Sequence, residues 1–254
     1  MRQAIYEAKG RAREFSELAC NIFSGCEHSC LYCWSPQVTR KTKDEFAKPE
    51  IRITAHDVLA SAKKWAAKGE VRRVLLCITT DPYTMIEQET QLTRKCIMAL
   101  HQEGMNVTIL TKGGLRSTRD FDLLTPKDAY ATTLTLTNDS DSLIWEPKAS
   151  FPSERIEALM QAHERGIETW ASFEPVIYPE QTMTLLNTIK DFIGHVKIGT
   201  LNYHAHGKTT DWYKFGWDIK EYCDNWRIKY YLKHDLLKEM KVNPADFKQT
   251  WICR

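Results

Sequence analysis

Three cysteines, Cys26, Cys30 and Cys33, stand within eight positions at a Cys-x3-Cys-x2-Cys spacing inside the stretch CNIFSGCEHSCLYCWSP. Thiolates are soft ligands that suit iron or zinc, and three on one short loop can surround one metal centre without help from distant parts of the chain. Structural zinc sites and electron-transfer clusters normally take four protein ligands, so this set is one short. The fourth donor is either His28, which would make a structural zinc site, or a small molecule admitted to an open position. Cys3His zinc sites usually draw their ligands as separated pairs from two knuckles, so a single loop favours an iron-sulfur cluster with an open iron. The other five cysteines, Cys20, Cys77, Cys96, Cys223 and Cys253, are scattered and form no second close pair.

Such a loop must be held by the elements around it. Leu18 to Phe23 reads as a short strand stopping at Ser24-Gly25, so the cysteine loop follows a strand. Thr54-x-x-Asp57 has the form of a capping box opening a helix that runs to Gly69. Val71 to Thr79 is a buried strand in character and ends at Thr79-Thr80-Asp81-Pro82, which cannot continue it. A helix from about Thr90 to Leu100 precedes the strand Val107 to Leu110, which runs into Thr111-Lys112-Gly113-Gly114. A helical turn near Phe121, a strand from Tyr130 to Leu136, and a helix opened by Pro152 and stopped by Gly166 follow. Then come a strand Ile167 to Phe173 ending at Glu174-Pro175, a helix Glu180 to Phe192 and a strand His195 to Leu201 ending at Asn202. A helix Asp211 to Trp226 and a short strand Ile228 to Leu232 close the chain.

Six strands alternating with helices imply crossover connections and a parallel sheet. Six units fall short of the eight that close a barrel. The expected fold is therefore α/β, a partial, open (β/α)6 TIM-like barrel with a short C-terminal helix-strand extension. In such architectures ligands bind at the carboxyl ends of the strands. Those ends carry the three cysteines, then Thr79, Thr80 and Asp81, then Lys112, then Thr135 and Thr137, then Glu174, then Asn202: polar groups converge on one rim.

Composition sets the outer bounds. With 254 residues, 43% hydrophobic and 27% charged, the chain has the make-up of an ordinary globular protein with a sizeable core. It contains no apolar run long enough for a membrane helix, and MRQAIYEAKGRAREF is too polar for a signal peptide, so a cytoplasmic protein without membrane contact is expected. A formal charge of +2 permits a nucleic-acid partner without requiring one. In the C-terminal helix, Trp212, Phe215, Ile219, Tyr222, Cys223 and Trp226 recur at helical spacing and are expected in the core, leaving Tyr213 and Trp217 outside.

The cysteine spacing, with Tyr32 ahead of the third cysteine, resembles the signature of the radical S-adenosylmethionine superfamily. Its wider context, GRAREFSELACNIFSGCEHSCLYCW, TTDPYTMIE, LTKGG, WASFEPV and VKIGTLNYH, resembles the spore photoproduct lyase-like branch, whose members are often labelled DNA repair photolyases. The resemblance covers most of the chain. It implies one radical S-adenosylmethionine domain over residues 1–254, with a core at about 15–204 and an extension at 205–254. It also implies a [4Fe-4S] cluster on Cys26, Cys30 and Cys33 whose fourth iron is chelated by the amino and carboxylate groups of S-adenosylmethionine. Lys112 matches a strand-end lysine that meets the cofactor carboxylate; otherwise it is a solvated surface lysine. Thr79, Thr80 and Asp81 match the polar strand end facing the cofactor's amino group and ribose, or serve only as a capping turn. Tyr32 would lie beside the adenine, and Thr135 and Glu174 complete the expected cofactor contacts; a β-preferring threonine and a rim salt bridge are their plainer readings. Cys77 resembles a cysteine that donates a hydrogen atom to the product radical, but it stands one residue out of register, and a buried core thiol is its other reading.

The chemistry so implied is reductive cleavage of S-adenosylmethionine to a 5′-deoxyadenosyl radical, which abstracts hydrogen from a thymine or modified thymidine in DNA, for repair or for rearrangement of a side group, in a lyase or isomerase reaction. A base inside a duplex would have to be extruded to reach the site. Modification of a peptide or small metabolite, and a zinc-stabilised nucleic-acid-binding module without catalysis, are the alternatives. An electron donor such as flavodoxin and a monomeric state complete the expectations.

Overall fold

The computed structural model describes residues 3–251; Cys253 lies outside the described residues. The strands are β1 (Tyr6–Glu7), β2 (Leu18–Cys20), β3 (Phe23–Ser24), β4 (Glu50–Ile51), β5 (Val74–Leu76), β6 (Val107–Thr111), β7 (Ala129–Thr133), β8 (Glu168–Phe173), β9 (His195–Ile198) and β10 (Lys229–Leu232). One sheet has the order β1-β2-β5-β6-β7-β8-β9-β10, while β3 and β4 pair separately. Every neighbour from β2 to β10 is parallel, and only β1 is antiparallel. Sequential strands lie side by side and the order ends at β10 without returning to β1, so the barrel is partial, as expected. The helices Ala55–Ala66, Leu92–Gln102, Pro152–Glu164, Pro179–Ile189 and Trp212–Asn225 carry apolar stripes such as Cys96, Ile97 and Leu100, or Leu185, Leu186 and Ile189, into the core.

The structure differs from the expectation at several points. The first strand ends at Cys20 because Asn21 turns its side chain to its neighbours: Oδ1 accepts from Ile78 N at 2.8 Å and Thr79 N at 3.3 Å, and Nδ2 donates to Tyr6 Oη at 2.8 Å. The second shortens to Val74–Leu76, since Cys77 enters the left-handed region at φ +65°. The C-terminal strand, read as part of an extension, is the seventh parallel strand of the described sheet, in register from Lys229↔His195 to Leu232↔Ile198. Ser35–Thr39, Lys43–Phe46, Met85–Thr90, Asp139–Trp145 and His234–Glu239 are helices too short to show a helical repeat in sequence. Trp226 is 56% exposed, with the Lys190 ammonium 4.3 Å from its ring centre, and so leaves the predicted core stripe.

Side chains tie the two ends of the sheet together. Lys197 Nζ on β9 donates to the carbonyls of Glu14 at 3.1 Å and Phe15 at 2.6 Å. Arg11 pairs with Asp235 at 2.9 Å, and Glu14 Oε1 accepts from His234 N at 3.0 Å. The turn Gly10–Glu14, which precedes β2, thus reaches the far end of the sheet. The outer edge of β10 is covered by the tail: Trp251 N donates to Tyr230 O at 3.1 Å, and Gln249 bonds both backbone groups of Leu232, which removes a sticky edge. Trp251 also stacks on His195 at 3.8 Å, and His195 in turn on Trp170.

At the opposite end of the strands, the fully buried Asp128 fixes where β6 and β7 begin. It accepts from Val107 N at 2.7 Å, from Thr125 N and Oγ1 at 2.8 Å, and lies 3.0 Å from His101 Nε2. Burial raises its pKa, but the His101 contact and the backbone donors outweigh burial and leave it below the ordinary aspartate value. A depressed folded-state pKa contributes stability that is complete above the unfolded value and fades as pH falls through the folded one. Asp128→Ala is expected to lose about 2–3 kcal/mol in urea titrations near neutral pH, and the difference from the parent should shrink below about pH 4.

Candidate active site

The cysteine loop is seated first by backbone contacts. Gly25 sits at φ +91°, where a Cβ would come within 2.6 Å of Lys48 O and 2.7 Å of Phe46 O, so only glycine lets the loop lie against residues 46–48. Cys26 N donates to Phe46 O at 2.7 Å and Leu31 N to Trp145 O at 2.9 Å. All three cysteines line a cavity of about 440 Å³ at the carboxyl ends of the strands. Tyr32, Cys77, Thr79, Thr80, Asp81, Lys112 and Glu174 line it too. Of the predicted site residues Thr135 does not, and of the other predicted rim groups Thr137 does not.

Thr135 falls outside because β7 ends at Thr133, and the chain then leaves the sheet. Its hydroxyl donates to Glu146 Oε1 at 2.8 Å, beneath the cavity wall. Glu146 is also the acceptor for the Tyr32 hydroxyl and pairs with Arg155 Nη2 at 2.5 Å. Arg155, fully buried, donates in addition to Ser150 O at 2.7 Å and Thr133 O at 3.1 Å. Burial disfavours the Glu146 charge, but Arg155 and Lys112 reverse that and pull its pKa down to about 2. The pair therefore orients Tyr32, whose ring lies 5.6 Å from the Lys112 ammonium. Burial also works against the charge on Lys112, and Cys30 and Glu146 more than offset it.

Asp81 lines the cavity, yet its carboxylate already serves the protein. Oδ1 accepts from Tyr83 N at 2.8 Å and Thr111 Oγ1 at 2.6 Å, and Oδ2 from Lys112 N at 2.7 Å. On this geometry Asp81 braces the ends of β5 and β6 from within the cavity lining. Cys77, 3% exposed, donates its N–H to Cys20 O at 2.9 Å, and burial pushes its thiol up to about 11. His204 and His206 pack on Trp145 and Tyr178 and do not line the cavity.

His28 tests the choice between zinc and an open iron. It is buried, with Nδ1 3.7 Å from Asp81 Oδ2 and Nε2 3.2 Å from Arg116 Nη2, so both ring nitrogens face other partners. The donor set is then three thiols that line one cavity, which fits a cluster with one iron left for a ligand from that cavity. Four residues at the cavity or beneath it went unread in the sequence: Glu146 and Arg155, whose pairing spans nine positions in a loop and a helix, Ser172 inside an apolar strand, and Lys233 just past β10.

A family profile described as the Radical SAM superfamily matches residues 20–193, more than half of the chain. The chain belongs to the radical SAM superfamily. A [4Fe-4S] cluster and S-adenosylmethionine are the cofactors of that family. An uncharacterized protein, ORF301, of Acidianus two-tailed virus is 27% identical over 192 residues, a match covering 69% of this chain and 61% of the viral protein. Among solved structures, a spore photoproduct lyase mutant with bound AdoMet and dinucleoside spore photoproduct superposes with a TM-score of 0.62 at 16% identity, covering 78% of this chain and 61% of that one. Streptococcus suis SuiB bound to S-adenosylmethionine gives 0.67 at 13% identity, with 91% and 53% covered. At these identities the likeness is one of fold. This chain spans roughly three fifths or less of the length of the radical SAM and viral proteins named here. No helix among the described residues is long and apolar enough to cross a membrane.

Anaerobic reconstitution with iron and sulfide should yield a brown protein with about four irons per chain. Replacing Cys26, Cys30 or Cys33 singly with Ala should leave it colourless with a fraction of that iron, measured by metal analysis and visible absorption.

Proposed function

We propose that Cys26, Cys30 and Cys33 carry the cluster, that Lys112 binds the carboxylate of S-adenosylmethionine, and that the reaction removes hydrogen from a nucleobase-type substrate, a thymine or modified thymidine in nucleic acid, by repair or side-group rearrangement. The observation that supports the substrate class is the cavity mouth, lined by Lys9, by Arg11, which is already paired with Asp235, by Trp34 and by the 70% exposed Tyr203. Cations suit phosphates and aromatic faces suit unstacked bases. A base taken out of its stack can enter while its backbone stays at the mouth.

Bound together, the two cofactors supply one-electron chemistry that ends in abstraction of a hydrogen atom from a C–H bond. The protein's part is placement. Tyr32, held by Glu146, and the strand end Thr79-Thr80 border the cofactor's place, with the Lys112 ammonium facing the same cavity. The parallel strands and Phe15 shield one side of the cavity, which protects a reactive intermediate there. Cys77 is the one cavity-lining thiol outside the cysteine loop among the described residues, and so the candidate that returns a hydrogen atom to the product. The loop itself reaches the surface at Ser29 and Leu31, where a flavodoxin-type electron donor can approach a monomeric enzyme.

Reduced enzyme incubated with S-adenosylmethionine and an oligonucleotide deuterated in its thymine methyl groups is expected to form 5′-deoxyadenosine carrying deuterium. Label moving only from peptide substrates, or from none, would defeat the nucleobase reading. Lys112→Met should weaken S-adenosylmethionine binding about 10- to 100-fold, the share of one charge-assisted contact, as read by equilibrium dialysis of the reconstituted protein.

A further inference from the structure

Two charges meet inside the cavity wall, one of them Glu174, which the sequence offered as a cofactor contact or a rim salt bridge. Glu174 follows β8 and Lys233 follows β10, with the end of β9 between them. Gly199 occupies that end, and a Cβ there would lie 3.2 Å from both Glu174 Cγ and Lys233 Cδ. The missing side chain lets ammonium and carboxylate pair across β9. Lys233 is 3% exposed, yet it lines the cavity together with Glu174 and Gly199. Ser172, two positions before Glu174 on the same face of β8, lines it as well, and its buried Oγ has no hydrogen-bond partner. Lys112 stands at the end of β6, two strands away.

A buried ion pair is seldom worth more than apolar packing of the same shape, and a buried hydroxyl left unbonded is costly. A clip holding the rim would explain the pair but neither its exposure to the cavity nor the idle hydroxyl beside it. A polar ligand explains all three.

We propose that Lys233 and Glu174, with Ser172 beside them, read the hydrogen-bonding edge of the substrate base; this rests on the nucleobase reading above. One side of the ammonium lies 3.2 Å from the Phe15 ring centre; the protons it has left beyond the pair and the lone pairs of the carboxylate give the cavity a donor and an acceptor side by side. In a cyclic imide such as thymine or uracil, C=O and N–H point from one edge and meet that couple together. The planar trans peptide unit turns its C=O and N–H to opposite sides and can satisfy only one member. The low dielectric of the cavity strengthens the matched contact and penalises a mismatched one.

The test uses the reconstituted, unreduced enzyme with S-adenosylmethionine bound. Its affinity for a trinucleotide with one central thymidine is compared with that for the same trinucleotide carrying N3-methylthymidine, which keeps both carbonyls and loses the N–H. The methylated form should bind at least about tenfold more weakly, the effect of leaving one buried acceptor unmatched. Glu174→Met should abolish that ratio, and Lys233→Met should weaken both ligands together, whereas a purely structural clip would leave the ratio as it is in the parent. Equal binding of the two trinucleotides by the parent enzyme would overturn the recognition role while leaving the nucleobase reading intact. Binding of neither, with no deuterium transfer from the labelled oligonucleotide, would remove the nucleobase reading and this inference with it.

Discussion

The carboxylate of Asp81 is the joint on which the site turns. It takes one hydrogen bond from its own turn at Tyr83 N, one from the side chain of Thr111 and one from the backbone of Lys112, and it lies against His28 from the cysteine loop. A buried carboxylate satisfied by several donors is stable in its charged form and holds each donor in place. The ends of β5 and β6 and the loop that carries the three thiols are thereby referred to one point. Burial disfavours the charge on Asp81, but His28 and the Lys112 N–H outweigh that and hold its pKa below the ordinary aspartate value.

A second buried anion plays the matching part on the other side of the cysteines. Glu146 collects the hydroxyls of Tyr32 and Thr135 and the guanidinium of Arg155, while Arg155 reaches back to the carbonyl that ends β7. Breaking such a pair strands a charge, which costs far more than the pair itself gains over apolar packing. Its presence is better understood through placement than through stability: the Tyr32 ring faces the Lys112 ammonium because its hydroxyl is anchored from behind. Between the two anions lies the cavity, with the cysteines on one wall and the Lys233–Glu174 couple on another.

Much of this was legible in the residues. Alternation of apolar strand runs with capped helices gave the parallel order, and the carboxyl-end rule picked out the rim residues Thr79, Thr80, Lys112 and Glu174, which do line the cavity. What stayed hidden has physical causes. Thr135 looked like a strand-end donor, but where a strand ends is decided by neighbours, and β7 stops two residues earlier. Glu146, Arg155 and Ser172 carry no local signal, because their roles arise from pairings across loops and strands. Lys233 was set aside with the C-terminal extension, since nothing in Ile228 to Leu232 shows that this strand extends the same sheet. Asp81 was found for its position, while its task as a brace became visible only with the partners around it.

The Gly10–Glu14 turn and Phe15 bind to β9 and to residues just past β10, so these contacts span from 182 positions of sequence, Phe15 to Lys197, to 224, Arg11 to Asp235. Such long-range pairings close slowly and late. These residues must therefore wait for β9 and for the residues after β10 before finding their seats. Until β9 and the residues after β10 are in place, the Gly10–Glu14 turn has nothing to lie against.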